Sequence, residues 1–351
     1  MKLDKSTIKK IRSGYFSAEY FLKTQKILLR ENNLSEVTMQ VFQKNDNGVV
    51  CGIEEVLSIL KEGTGIYKNG KWIDMSGKLK IETLKDGDVI SRNEPAMHVT
   101  GPYVYFAHLE SLYLGILARR TLVASNSRQA VEKAKGKPIY FFADRFDDFL
   151  NQEGDGYAAH IGGVTGVCTG AQAVWWNGKP IGTIPHSLIA IYNGDTKKAV
   201  QLFLDNFPKE RLIALVDFNN DCVKTSLEIA KQFGKKLWGV RLDTAENLID
   251  KSLENKPSNR GVSSSLVFKV REELNKNGFD FVKIIVSGGF NAERIERFEK
   301  ENVPVDVYAV GSTLVKGNND FTADIVKVNG KLIAKEGRGF IKNKGLKIAK
   351  L

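Results

Sequence analysis

The chain has 351 residues, 42% hydrophobic and 26% charged, enough to bury a sizeable core in one large domain or two. Its formal charge of +11 comes from lysines scattered among many carboxylates, without a compact basic run, an RNA-binding signature or a helix-turn-helix pattern, so no nucleic-acid partner is expected. No stretch approaches the roughly 18 apolar residues of a membrane span and the first residues lack a continuous apolar segment, so no membrane partner and a cytoplasmic location are expected. Cys51, Cys168 and Cys222 lie far apart with no C-x-x-C, which predicts free thiols and no zinc site.

Up to about Tyr103 the pattern is one of strands and turns with a short helix, a small α+β domain. "EVTMQVFQ" reads as a strand, followed by an Asn-Asp-Asn-Gly turn and apolar residues at helical spacing from Ile53 to Leu60. "GKLKIETLKDGDVISRNEPAMHVTGPY" contains three short strands, with Lys85-Asp86-Gly87-Asp88 as a tight turn. From Tyr105 a long helix is expected, with Leu109, Leu112, Tyr113, Ile116 and Leu117 on its apolar side.

Seven short β-branched or aromatic runs follow: "PIYFFA", "VTGVC", "PIGTI", "LIALVD", "LWGVRLD", "VKIIVSGG" and "VDVYAVGS". Each is succeeded by a loop and usually by a helical pattern, which predicts parallel strands covered by helices in a closed or nearly closed barrel. Near the end, Asn329-Gly330 separates two strand-like runs, a hairpin expected to return to the first domain. The expected division is 1–104 for the N-terminal domain, completed in part by 320–351, and 105–319 for the barrel.

Barrel chemistry sits at the carboxyl ends of the strands. That rule selects Asp144 and Arg145, His186, Asp217, Arg241 and Asp243, Gly288 and Gly289, and Gly311 and Ser312. The two glycine-bearing ends let backbone N–H groups approach a phosphate, or they merely turn the chain. Asp217, Arg241 and Asp243 suit Mg2+ or a developing cation, or form an ion-pair network that sets strand ends. Arg145 offers a planar fork for a carboxylate or phosphate, or pairs with Asp144, Asp147 or Asp148. Phe142 is a core residue or a platform, and His186 a working residue or a packed polar neighbour.

Taken in order, "ASNSR" (Ala124 to Arg128), "GTIPHS" (Gly182 to Ser187), "GVRLD" (Gly239 to Asp243), "VSGGF" (Val286 to Phe290) and "AVGST" (Ala309 to Thr313) resemble nicotinate phosphoribosyltransferases, members of the type II phosphoribosyltransferases. The resemblance implies an irregular, incomplete α/β barrel with an N-terminal α+β domain. It also implies transfer of a phosphoribosyl group from 5-phosphoribosyl 1-diphosphate to nicotinate, with Mg2+ as cofactor, ATP as co-substrate and a homodimer. By position, Gly288, Gly289, Gly311 and Ser312 would bind the 5-phosphate, Arg241 the phosphate or ribose, and Asp217 or Asp243 the developing positive charge. Tyr20 from a second subunit and Phe142 would sandwich the pyridine ring, with Arg145 on its carboxylate. His186 matches the histidine that the family phosphorylates from ATP. Cys168 stands where the amide-using relative has an aspartate, which favours the acid. Nicotinamide and quinolinate remain the rival acceptors, and a regulatory barrel that binds phosphorylated ligands is the alternative outside enzymes.

Overall fold

The computed structural model describes residues 3–351. The chain falls into two compact units, one made of residues up to Ser125 with Gly317–Leu351, the other of Asn126–Lys316.

The first unit is built on a six-stranded antiparallel sheet, in the order Lys331–Leu332, Phe321–Val328, Glu36–Gln43, Pro95–Pro102, Lys80–Thr83 and Lys347–Ala349. The Asn329-Gly330 hairpin lies in this sheet, with Phe321 opposite Gln43. Val37, Met39, Val41, Ile81 and Val99 pack with Val56 and Leu60 of helix Ile53–Gly63 and with Tyr113 and Leu117 of the long helix Glu110–Lys133. The Ile53 helix forms because its apolar positions recur on one face, Glu54 and Glu55 occupy its first turn, and the N–H of Ile53 donates to Asp86 Oδ1 at 2.8 Å.

Two helices, Lys5–Arg12 and Glu19–Arg30, stand where only strands, turns and one short helix were expected. Asp4 caps the first by accepting from Ser6 and Thr7 N–H, while the second buries none of its residues. A strand pair at Gly65–Lys68 and Lys71–Asp74 is also additional; Asn69 and Gly70 both take positive φ, as a two-residue hairpin turn requires.

The second unit carries a parallel sheet in the order Leu212–Leu215, Leu237–Leu242, Lys283–Val286, Val307–Val310, Ile139–Phe141 and Gly166–Val167. No ladder joins its two outer strands among the described residues, so the sheet is the incomplete α/β barrel expected from the resemblance. "PIGTI" is not a strand: Pro180 makes a single bridge to Val167, because proline has no N–H to extend a ladder. Leu212–Leu215 and Val307–Val310 are buried throughout, the continuous apolar pattern of strands covered on both faces. Tyr140, Ile213, Ile285, Val307 and Ala309 cluster on one of those faces.

The covering helices start at defined caps. Asp195, Asp221, Ser263 and Asn291 each accept a hydrogen bond from the backbone N–H three residues on, contacts worth about 1 kcal/mol apiece. Parallel strands and these fixed helix starts bring the carboxyl ends of the strands to one rim.

Candidate active site

At that rim lies a cavity of about 370 Å³. Of the residues singled out from the sequence, Phe142, Asp144, Arg145, Cys168, Arg241, Asp243, Gly288, Gly289, Gly311 and Ser312 line it. His186 and Asp217 do not, although Pro185, the residue before the histidine, does. Tyr20 belongs to the first unit, on helix Glu19–Arg30, where it is 65% exposed and its ring meets that of Phe21 at 4.3 Å.

One wall is glycine-built. Ser287 follows the strand Lys283–Val286, after which Gly288 (φ +85°) and Gly289 (φ +68°) both enter the left-handed region that a side chain disfavours. The next strand, Val307–Val310, is followed by Gly311, ahead of the short helix Ser312–Val315. Among the described residues the backbone N–H groups of Gly288, Gly289, Phe290, Gly311 and Ser312 have no hydrogen-bond partner. Unpaired N–H groups converging on a polar cavity form an anion-binding concavity.

A second wall holds the charges. Arg241, pointing from strand Leu237–Leu242, is nearly buried, donates to Thr183 Oγ1 at 2.7 Å, and lies 3.6 Å from Asp243 Oδ2. Its guanidinium also sits 5.8 Å from the centre of the Phe142 ring, and its Nε has no partner. Burial lowers its pKa, opposed by the charges of Asp243 and Asp217. Ser287 Oγ lies 2.7 Å from Asp243 Oδ1 and 3.1 Å from the Leu242 carbonyl, so the hydroxyl steadies the carboxylate at the cavity edge.

A third wall is mixed. Arg145 is exposed, makes no ion pair with Asp144, Asp147 or Asp148, and only skirts the Phe146 ring at 5.7 Å, which leaves its fork uncommitted among the described residues. The Cys168 thiol donates towards Asp144 Oδ1 at 3.2 Å; burial first, then the Asp144 carboxylate, push its pKa up to about 12. The thiol is neutral, but the wall is not, because Asp144 brings a carboxylate to the same surface. Sequence reasoning selected Asp144 and Cys168 separately and missed their contact.

Beside the cavity, His186 opens helix His186–Ile191 and its Nε2 lies 3.0 and 3.2 Å from the two oxygens of Asp217, whose side chain is only 8% exposed. The hydrogen bond to Asp217 raises the imidazole pKa and burial opposes it. Carboxylate oxygens only accept, so in the neutral ring Nε2 carries the proton and Nδ1 keeps its lone pair. The other histidines are held in packing: His98 by Gln40, His108 by the Gly63 carbonyl, and His160 stacked on Trp176 at 4.3 Å.

Thr183, Ser287, Phe146 and Phe290 also line the cavity and were not singled out. Thr183 and Phe290 fall inside the quoted "GTIPHS" and "VSGGF" segments, and Ser287 precedes the paired glycines, so position within those segments was the available signal.

Residues 20–121 match the family model of the quinolinate phosphoribosyl transferase N-terminal domain. A crystal structure of nicotinate-nucleotide pyrophosphorylase from Pyrococcus furiosus is 32% identical, with a TM-score of 0.80, covering 96% of this chain and 80% of that one. A nicotinate phosphoribosyltransferase of Mycobacterium tuberculosis is 24% identical over 260 residues, spanning 72% of this chain and 51% of its own. The chain thus spans about half the length of the curated relatives it matches. The human nicotinic acid phosphoribosyltransferase structure is 14% identical with a TM-score of 0.71, covering 91% of this chain and 76% of that one, a likeness of fold.

Proposed function

The chain belongs to the type II phosphoribosyltransferases, and from that premise we propose that it joins nicotinate to the phosphoribosyl group of 5-phosphoribosyl 1-diphosphate, giving nicotinate mononucleotide and diphosphate for NAD salvage. One observation carries the reading: a single cavity combines an uncommitted arginine fork beside an aromatic ring with unpaired backbone N–H groups at two glycine strand ends. That arrangement suits an acceptor bearing one carboxylate and a donor bearing phosphate.

In this account the pyridine nitrogen attacks ribose C1 as the C1–O bond to diphosphate breaks and diphosphate departs with the bonding electrons. Phe142 supports the ring, Arg145 takes the carboxylate, and the Gly288–Gly289 and Gly311–Ser312 ends take the 5-phosphate. Arg241 neutralises donor oxygens. Asp243, which faces the cavity, opposes the positive charge that develops at C1; Asp217 is instead engaged with His186. Nicotinate is preferred to quinolinate because Arg241, bonded to Thr183 and Asp243, is given to the donor oxygens, leaving the Arg145 fork for one carboxylate.

No group of three metal-ligating side chains occurs among the described residues. The donor set therefore fits Mg2+ held chiefly by the donor's phosphates and water, with Asp243 as the protein oxygen; when bound, the ion neutralises the leaving diphosphate. For ATP coupling, His186 Nδ1 is the phosphoryl acceptor, with Asp217 holding the ring. Tyr20 closes over the ring from a second copy of the chain.

The reading is tested by offering nicotinate, nicotinamide and quinolinate separately with 5-phosphoribosyl 1-diphosphate and Mg2+, with and without ATP, for wild type and His186→Ala. Nicotinate mononucleotide from the acid alone, with ATP stimulation lost in the variant, supports it. Turnover of the amide or of quinolinate instead sinks the acceptor assignment, and an ATP effect surviving in the variant sinks the role of His186.

A further inference from the structure

Arg294, on the first turn of helix Ala292–Lys300, does not line the cavity, yet its guanidinium ties the glycine wall to a neighbouring loop. One arm donates to the Gly288 carbonyl at 2.7 Å and the other to the Val262 carbonyl at 2.7 Å. The plane lies 4.1 Å from the centre of the Phe290 ring, and the residue's own N–H is tied to the Asn291 side chain. We propose that Arg294 is the positioning residue of the phosphate-binding loop: by holding the Gly288 carbonyl, it sets the peptide whose N–H faces the phosphate. The peptide is trans, so a carbonyl turned to Arg294 directs the Gly289 N–H the opposite way, and Gly289 lines the cavity.

Two features explain why arginine stands here. A planar fork reaches two carbonyls at once, anchoring the loop to the Gly261–Ser263 segment, which a lysine point charge cannot do. It also counters Glu246, whose Oε1 occupies the space a Cβ on Gly289 would need, with Arg294 Nη1 3.5 Å from the same point. The carboxylate would otherwise repel a bound phosphate. Gly289 is thus confined by its φ and by Glu246 together.

The inference rests on the phosphate role given above to the glycine wall, and its test uses binding, which does not depend on turnover. Ribose 5-phosphate and ribose are titrated calorimetrically into wild type, Arg294→Lys and Glu246→Gln, and KM values are measured for donor and acceptor. Expected are an affinity of Arg294→Lys for ribose 5-phosphate reduced about tenfold, a matching rise in KM for the donor, an unchanged KM for nicotinate, and an affinity of Glu246→Gln equal to or above wild type. Wild-type affinity in Arg294→Lys overturns the positioning role. So does an equal loss for both substrates, which marks general disruption. If wild type binds ribose 5-phosphate no better than ribose, the phosphate wall itself is wrong and the proposal falls with it.

Discussion

Gly311→Ala probes how tightly two of the cavity's aromatic residues, Phe142 and Phe146, are packed against a strand end. A Cβ there would stand 2.6 Å from Phe146 Cε2 and 2.7 Å from the Phe142 carbonyl oxygen. The Phe146 side chain belongs to a residue 45% exposed and can swing aside. The carbonyl cannot move so readily, because the Phe142 N–H is bonded to the Val310 carbonyl at 2.8 Å and Phe142 continues a buried strand. The methyl therefore has to push the Phe142 peptide away, a case of overpacking that costs about 2 kcal/mol. For a unit of this size that corresponds to roughly 6 °C in melting temperature. Moving Phe142 also shifts the platform proposed for the pyridine ring, so KM for nicotinate should rise. Gly182→Ala is the control on the same cavity, since a Cβ there meets nothing within 4 Å and stability should stay within about 0.5 kcal/mol. Scanning calorimetry and steady-state kinetics on both variants decide the matter. A Gly311→Ala protein that melts with wild type and keeps its nicotinate KM would refute the packing argument.

The His186–Asp217 pair gives a pH signature: a histidine pKa raised by folding stabilises below the unfolded value near 6.5 and loses that contribution as pH rises through the folded value. Asp217→Asn should therefore lose most stability near pH 6 and little near pH 8; because the His186 side chain is 44% exposed, the loss is held to about 1 kcal/mol or less, read by denaturation at the two values. Arg145→Ala should raise KM for nicotinate about 10- to 100-fold while leaving the melting temperature unchanged, because the exposed fork has no internal ion pair to lose. Cys168, with its pKa pushed up to about 12, should resist iodoacetamide at pH 8 in the native protein and react after unfolding, as peptide mapping would reveal. Asp144→Asn should make that thiol more reactive.

The strands of the parallel sheet were legible because burial on both faces writes them as short unbroken apolar runs, and the rule that chemistry sits at their ends then picked out Arg241, Asp243 and the paired glycines. "PIGTI" shows the limit of that signal: its composition suits a strand, but Pro180 ends the ladder after one bridge. Helix Glu19–Arg30 was hidden because it buries none of its residues, so interleaved charges and aromatics obscured its period. The Asn69-Gly70 turn was present in the sequence as a hairpin signal and was overlooked. Within the site, residue types were readable but their pairings were not. Thr183 on Arg241, Asp144 on Cys168 and Arg294 on Gly288 depend on where loops converge in space, which local pattern does not encode.

Phosphorus NMR of the purified chain with 5-phosphoribosyl 1-diphosphate, Mg2+ and nicotinate tests the central claim most directly. The account predicts that donor resonances disappear only when nicotinate is present, replaced by diphosphate and a phosphomonoester in equal amounts, with the monoester identified as nicotinate mononucleotide by mass. Donor that stays intact with nicotinate, or that is consumed at the same rate without any acceptor, would contradict it.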